Sequence, residues 1–371
     1  ACMNKQLSLF DSIPLEIKAF DRFADLCNAY HFESKNIDYA IGKMWSVFHT
    51  RGKDYPTIMV SVSGGADSGI MIDMIERVGH PYSTVKYCFF NTGVEYGATL
   101  KHLSYLETMY GIKIDKERSA MPVPLAVRKY GYPFLSKKVS NYIHRLQING
   151  FEWEDRPFDD LLPKYPNCKA ALKWWCNMWG DDSRFNISKR KWLKEFMILN
   201  PPPMQISDMC CIKAKHDTSR KIEEKVSPDL ICIGIRKSEG GQRSILNSCF
   251  EEVPFGMSTY RPIFWLTSED RKEYESYFGI NHSDCYTVYG LQRTGCACCP
   301  FGRNYETELK IARECEPHLY KAACNIFKPS YDYTNAYRAF AAERDAQTRK
   351  KPINAGKHGG QNADSISKLS R

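Results

Sequence analysis

The segment that most limits how this chain can fold is Thr57-Ile58-Met59-Val60-Ser61-Val62, followed at once by Ser63-Gly64-Gly65-Ala66-Asp67-Ser68. The first run predicts a buried strand, and the apolar-rich stretch that continues to about Val78 predicts a helix. The two glycines between them let the backbone turn tightly and approach an anion. The free N–H groups at the helix start then point toward that anion. The Ser63 and Ser68 hydroxyls can add donors, and Asp67 can orient the loop or hold a Mg²⁺ on phosphates. The loop is not of the G-x-x-x-x-G-K-S/T kind. The plainer reading is an ordinary strand-to-helix turn capped by an Asp.

The pattern continues along the chain. Residues 84–90 read as a second strand, 98–110 as a second helix, 229–233 as another buried strand and 268–278 as a polar helix. Strand and helix in alternation at this spacing predict an α/β fold, an open parallel sheet with crossover helices. Residues 14–50 read as mostly helix, and no internal repeats stand out. The middle, about 131–225, is rich in Trp, Pro and Lys/Arg, and its helices are harder to place. The expected organisation is a helical segment over 1–54 and a central domain over 55–302 with a basic helical insertion at about 140–225. A helical segment over 303–348 and a disordered basic tail over 349–371 complete it.

Composition narrows the class of protein. With 43% hydrophobic and 13% aromatic residues the chain can bury a sizeable core, which excludes wholesale disorder. No run approaches the ~18 apolar residues of a membrane helix, and ACMNKQLSLFDSIP lacks a signal-peptide pattern, so a cytoplasmic protein without membrane contact is expected. The 52 Lys+Arg against 43 Asp+Glu, net +9, bias the chain mildly toward nucleotide or nucleic-acid partners.

Fifteen cysteines are too few over 371 residues for a disulfide scaffold, and they cluster. Cys210 and Cys211 are adjacent, and Cys296, Cys298 and Cys299 fall together. Four thiolates from two segments can hold a tetrahedral Zn²⁺ or a 4Fe-4S cluster. Cys27, Cys88, Cys232, Cys249, Cys315 and Cys324 read as small apolar side chains.

The loop S-G-G-A-D-S after a hydrophobic strand resembles the pyrophosphate loop of the ATP pyrophosphatase superfamily, also called adenine nucleotide alpha-hydrolases. Further segments are similar to its PAPS reductase-like branch. Residues 89–96 (FFNTGVEY) resemble the D-T-G-x-E element, with Asn91 in place of the usual Asp. Gly131-Tyr132-Pro133-Phe134 with Lys137-Lys138 resembles a central basic segment, and Gly234-Ile235-Arg236-Lys237-Ser238-Glu239 with Arg243 resembles G-x-R-x-x-E…R. Residues 289–300 resemble the closing G-x-x-R-x-G-C-x-x-C-P motif.

The resemblance implies an adenine nucleotide alpha-hydrolase-like fold and a set of site residues. Nucleotide would be held by Ser63, Gly64, Gly65, Ala66, Asp67, Ser68, Asn91, Thr92, Gly93, Glu95, Gly234, Arg236, Glu239 and Arg243. Asp67 and Arg236 would act in catalysis, and Lys137 and Lys138 would meet substrate. Cys210, Cys211, Cys296 and Cys299 would ligate a 4Fe-4S cluster as in adenylyl-sulfate reductases. Cys298 is then a spare thiol, and Cys285 is near enough in sequence to replace a ligand. Structural zinc is the alternative.

The same resemblance implies ATP and Mg²⁺ as cofactors and an enzyme that adenylates an acceptor, releases pyrophosphate and lets a sulfur donor displace AMP. A cysteine desulfurase is the implied donor, and the nearest character is that of DndC-type DNA phosphorothioation proteins. The Trp- and Lys/Arg-rich stretch 164–194, with Trp174, Trp175, Trp179 and Trp192, suits a groove for DNA or tRNA, although at least two of the four tryptophans are expected in the core. Reduction of PAPS to sulfite ranks second, because no cysteine follows Cys324 and the Glu-Cys-Gly-x-His context of those reductases is missing. tRNA thiolation is a further alternative. So is a non-catalytic nucleotide-binding subunit, a reading to which Ala66 (often Lys in the motif) and Asn91 give some weight.

Overall fold

The computed structural model describes residues 19–350 except 182, 242 and 255. Six strands form one sheet: β1 (Thr57–Val62), β2 (Thr84–Asn91), β3 (Ile114–Arg118), β4 (Leu230–Ile233), β5 (Phe250–Glu251) and β6 (Ser258–Tyr260). Their order is β3-β2-β1-β4-β6-β5, parallel throughout except for the β5–β6 pair. The α/β fold with an open, mostly parallel sheet is therefore present.

β1 is central, and its residues face two cores. Ile58, Val60 and Val62 pack with Ile37 and Met44 of α2 (Lys35–Trp45), Ile70 and Met74 of α3 (Ala66–Val78) and Leu103 of α4 (Gly97–Tyr110), the short α1 (Phe23–Ala29) adding Leu26. Met59 turns the other way, joining Cys88, Ile231 and Ile222. A strand covered on both faces reads as a continuous apolar run, which is why 57–62 is legible without alternation. At the edge, β3 carries Ile-Asp-Lys-Glu-Arg, a charged strand that discourages further pairing.

After β3 come α5 (Val123–Tyr130) and α6 (Lys137–Ile148), and further on α10 (Met209–Cys211), which continues through a π-turn into α11 (Asp217–Val226). Then come α12 (Ser268–Phe278), α13 (Asp284–Thr287), α14 (Tyr305–Cys315) and α15 (Pro317–Lys350). Among the described residues, those up to 151 with 202–333 form one compact unit, and 152–201 with those from 334 on form a second.

The second unit contains α7 (Phe158–Lys164), α8 (Lys169–Trp175) and α9 (Leu193–Leu199). Trp174 and Trp175 are buried there, and the Trp175 indole donates to the Glu154 carbonyl at 2.9 Å. Trp179 is exposed with Lys173 over its ring at 5.2 Å. Trp192 donates to Asp345, 2.9 Å away. Several of this unit's cations are already partnered: Lys164 with Glu152 and Glu154, Lys191 with Asp345, Lys194 with Asp155, Arg344 with Glu195. The expected tail begins inside α15, and its residues 351–371 lie outside the described ones. No described helix is long and apolar enough to cross a membrane.

Candidate functional site

The strand order reverses direction between β1 and β4, and in open parallel sheets the crevice beyond such a switch point is where ligands bind. The loop 63–68 leaves β1 on one side of it, and Gly234 to Arg236 leave β4 on the other. α3 has Gly65 as its N-cap and no side-chain cap, so beyond the Ala66 N–H, which donates to the Tyr286 hydroxyl, its first N–H groups are not closed off by the usual Ser, Thr or Asp. Gly64 has φ +69°, and a Cβ there would fall 2.6 Å from the Thr99 methyl, so only glycine fits. Gly234 has a different reason: a Cβ would stand 3.2 Å from the Asp67 carbonyl, so glycine lets the β4 exit pass against α3.

The two serines differ. The buried Ser68 hydroxyl donates to the Gly65 carbonyl at 2.9 Å and accepts from Ser63 Oγ at 3.2 Å. It braces the loop and does not face outward as a free donor. Ser63 is exposed, and its Oγ accepts from the Gly65 N–H at 3.3 Å.

Asp67 meets two guanidiniums. Its Oδ1 lies 3.0 Å from Arg236 Nε and 3.5 Å from an Arg271 nitrogen. A carboxylate oxygen already shared by two arginines is a poor Mg²⁺ ligand, so the expectation that Asp67 holds the metal does not fit this arrangement. Arg236 is nearly buried and also donates to Ser238 Oγ at 3.1 Å. Glu239 accepts from the Arg236 N–H at 3.0 Å and pairs with Arg243. Both are spent inside their own loop.

The β2 exit is similarly self-contained. Asn91 Oδ1 accepts from the Gly93 N–H at 2.9 Å. Glu95 accepts from the N–H groups of Thr92, Gly93 and Val94 and from Thr92 Oγ1, at 2.5–3.0 Å. Glu95 thus holds the shape of residues 92–94, and its carboxylate is not free for a nucleotide.

From here the thiols come into reach. Thr92 Oγ1 lies 3.5 Å from Cys296 Sγ, and the Ala297 N–H donates to the Val94 carbonyl at 2.7 Å. Cys210, Cys211, Cys296 and Cys299 act on one another electrostatically, so α10 and the C-x-x-C turn place all four in one neighbourhood. Burial, then Cys296, pushes Cys299 up to about 12. The Cys210 thiol donates to Cys211, which with Lys137 and Lys215 draws Cys211 down and leaves Cys210 raised. Lys215 is held protonated chiefly by Cys296, with Cys211 and Glu95 adding to it. Lys137 and Lys138 are exposed at the start of α6; Lys137 acts on Cys211, and Lys138 lies over the Tyr142 ring at 4.7 Å.

Among the described residues, no group of three or more His, Cys, Asp or Glu side chains is gathered to hold a metal ion. A single zinc draws four sulfurs to about 2.3 Å from one point, whereas a cubane cluster spreads its ligands over its corners.

The other cysteines have different partners, although Cys298 shares an apolar cluster with Cys210, Cys211 and Cys296. Cys298, at φ +53°, is buried; its N–H donates to Glu308 at 3.0 Å, and burial with Glu308 pushes its thiol up to about 12. Cys285 lies 3.5 Å from Thr99 Oγ1 in a different apolar cluster, with Tyr96 and Ala297. Cys88, Cys232 and Cys249 are buried as expected, but Cys27 is exposed, and Cys315 and Cys324 are half-buried.

Sequence reasoning missed Arg271, Lys215, Tyr286 and Thr294. The Tyr286 hydroxyl accepts from the N–H groups of Ala66 and Thr294, both at 3.3 Å, and Thr294 Oγ1 would lie 3.1 Å from a Cβ on Gly65. Only the closing motif's proximity to Cys296 hinted at residues 286–294, and no local signal marks α12 as a neighbour of Asp67.

No protein-family model matches the chain. It is 27% identical over 297 residues to an uncharacterized 37.8 kDa protein in the gpa 5′ region of Escherichia phage 186, covering 72% of this chain and 76% of that one. Among solved structures it is similar to phosphoadenylyl-sulfate (PAPS) reductase from Candida auris in a phosphate complex, with TM-score 0.38 and 11% identity over 72% of this chain and 97% of that one. It is also similar to the tRNA thiolase NcsA from Methanococcus maripaludis with its 4Fe-4S cluster, with TM-score 0.35 and 12% identity over 95% of each chain.

Proposed function

We propose that this chain is an iron–sulfur ATP pyrophosphatase that activates an acceptor for sulfur transfer. The observation that carries the reading is the stretch 286–299. At one end Tyr286 and Thr294 touch the loop 63–68, and at the other Cys296 and Cys299 join Cys210 and Cys211. A phosphate-binding loop and a thiol centre on one sheet edge suit a reaction that first activates an oxygen and then delivers sulfur.

In this reading the N–H groups at the start of α3 and the Ser63 hydroxyl receive the leaving pyrophosphate, with donors fixed before the charge develops. Arg236 and Arg271, oriented by Asp67, add positive charge where the bond from the α-phosphorus to pyrophosphate breaks. The acceptor oxygen bonds to the α-phosphorus, and AMP leaves when sulfur attacks. A 4Fe-4S cluster on Cys210, Cys211, Cys296 and Cys299 would supply the site from which sulfur is delivered. Together with Cys210, Lys137 and Lys215 draw the Cys211 thiol down, while burial holds Cys296 and Cys299 up. The acceptor we favour is nucleic acid, as in DNA phosphorothioation, with a cysteine desulfurase as sulfur donor.

Anaerobically purified protein tests this. Iron with acid-labile sulfide, together with pyrophosphate and AMP from ATP, is the expected result. Sulfite from PAPS without pyrophosphate from ATP would replace the reading with sulfonucleotide reduction.

A further inference from the structure

Beside the site, and not part of it, the same unit has a cavity of about 780 Å³ between residues 290–293, 301–311 and Glu239. Its volume lies in the range that holds a nucleotide-sized ligand. The wall is divided in character. Half-buried Phe301, with Leu291 and Ile311, is apolar, while Arg293 and Arg303 are exposed, with Asn304 and Thr307 beside them.

Charge decides what such a cavity would take. Neither Arg293 nor Arg303 makes an ion pair or hydrogen bond among the described residues. The carboxylates of the wall have partners of their own: Glu239 accepts from the Arg236 N–H and pairs with Arg243, and Glu308 Oε2 accepts from the Cys298 N–H and the Tyr96 hydroxyl. Arg293 acts on Glu308 only through charge. Two exposed guanidiniums without a hydrogen bond or ion pair suit a phosphate, and the apolar Phe301 side chain of the same wall suits a base. The cations of the second unit differ, since several are neutralised by acids of that unit.

We propose that this cavity binds one nucleotide unit of a nucleic-acid acceptor, its phosphate on Arg293 and Arg303 and its base against Phe301, apart from the ATP on the loop 63–68. The word acceptor rests on the function proposed above; the binding does not. Arg293 directly precedes Thr294, which lies against Gly65, so a nucleotide here would stand next to the phosphate loop.

The test uses a fluorescein-labelled single-stranded DNA oligonucleotide, with anisotropy followed over a salt series. Wild type is compared with the double variants Arg293→Ala/Arg303→Ala and Arg293→Lys/Arg303→Lys, and calorimetry follows ATP binding in parallel. The alanine pair weakens oligonucleotide binding at least tenfold and lowers the slope of log K against log salt by about 0.7 for the lost phosphate contact. The lysine pair keeps most of that slope, and ATP affinity stays within about twofold in both. Unchanged oligonucleotide binding overturns the proposal. So does a parallel loss of ATP affinity, which would make the cavity part of the ATP site. A wild type that binds the oligonucleotide through these arginines but releases no pyrophosphate would refute the ATP reading and leave the cavity standing.

Discussion

Asp67 and Arg236 are 169 residues apart in sequence, yet Oδ1 of one lies 3.0 Å from Nε of the other. The pair joins the loop after β1 to the loop after β4 across the switch point of the sheet, and both side chains are largely buried, at 18% and 8% exposure. Removing one partner of such a pair strands the other. Asp67→Ala leaves the buried Arg236 guanidinium without its anion, while Arg271 keeps Glu275 at 3.0 Å, and costs about 3 kcal/mol of stability. Pyrophosphate release falls about a hundredfold or more, as when a positioned charge-stabilising group is lost. Asp67→Asn, which keeps the shape, recovers part of the stability and little of the activity. Thermal melts beside a pyrophosphate assay separate the two effects; a variant with wild-type turnover would remove Asp67 from the mechanism.

The thiols sort by environment. Cys296→Ser or Cys211→Ser removes most of the bound iron and the visible absorbance of an iron–sulfur chromophore. Cys298→Ser leaves both, because that side chain packs toward Glu308. Iron analysis and absorbance spectra on the anaerobic proteins check this, and iron loss in Cys298→Ser with retention in Cys296→Ser would reverse the assignment.

Much of this arrangement is legible in the sequence, and the reason is local. The run 57–62 and the following helix are continuous in chain and rich in apolar residues, so β1 emerges with its observed ends and α3 with its observed end at Val78, although the helix begins at Ala66, inside the expected turn. α12 emerges over Ser268–Phe278 because Thr267 and Asp270 form a capping box. β3 and the antiparallel β5 were not legible: one is charged, the other two residues long. The site divides the same way. The loop 63–68 and the cysteines are contiguous motifs, but Arg271 reaches Asp67, and Lys215 reaches Cys296, only through the fold. Glu95 shows the converse: the motif suggests a ligand, and here the carboxylate accepts from the residues 92–94 beside it.

That use of Glu95 has a consequence for stability. With Glu95→Ala, the Thr92 and Val94 N–H groups and the Thr92 hydroxyl lose this acceptor, while the Gly93 N–H keeps Asn91 Oδ1, and the cost is about 1–3 kcal/mol, since Thr92 and Val94 are buried. Because Val94 also receives the Ala297 N–H, iron retention should fall with the loop. Chemical denaturation and iron content measure both; a stable variant with full iron would mean the loop keeps its shape without the carboxylate.

A buried imidazole sets one pH dependence. His102 is pushed down to about 4, first by burial and then by the charge of His282. An unfolded histidine titrates near about 6.5, so between those values the unfolded chain binds the extra proton. This contribution is complete above about pH 6.5 and declines by about 1.4 kcal/mol per pH unit as pH falls toward 4. Urea unfolding from pH 7 to 4.5 should give a shallower decline for His102→Gln than for wild type. Parallel curves would mean that His102 does not carry the effect.

The most direct measurement is product analysis of labelled ATP turned over by the anaerobic wild-type protein. Cleavage between the α- and β-phosphorus, giving AMP and pyrophosphate, is the outcome this account predicts. ADP with inorganic phosphate, or no cleavage by protein that holds its iron, would contradict it.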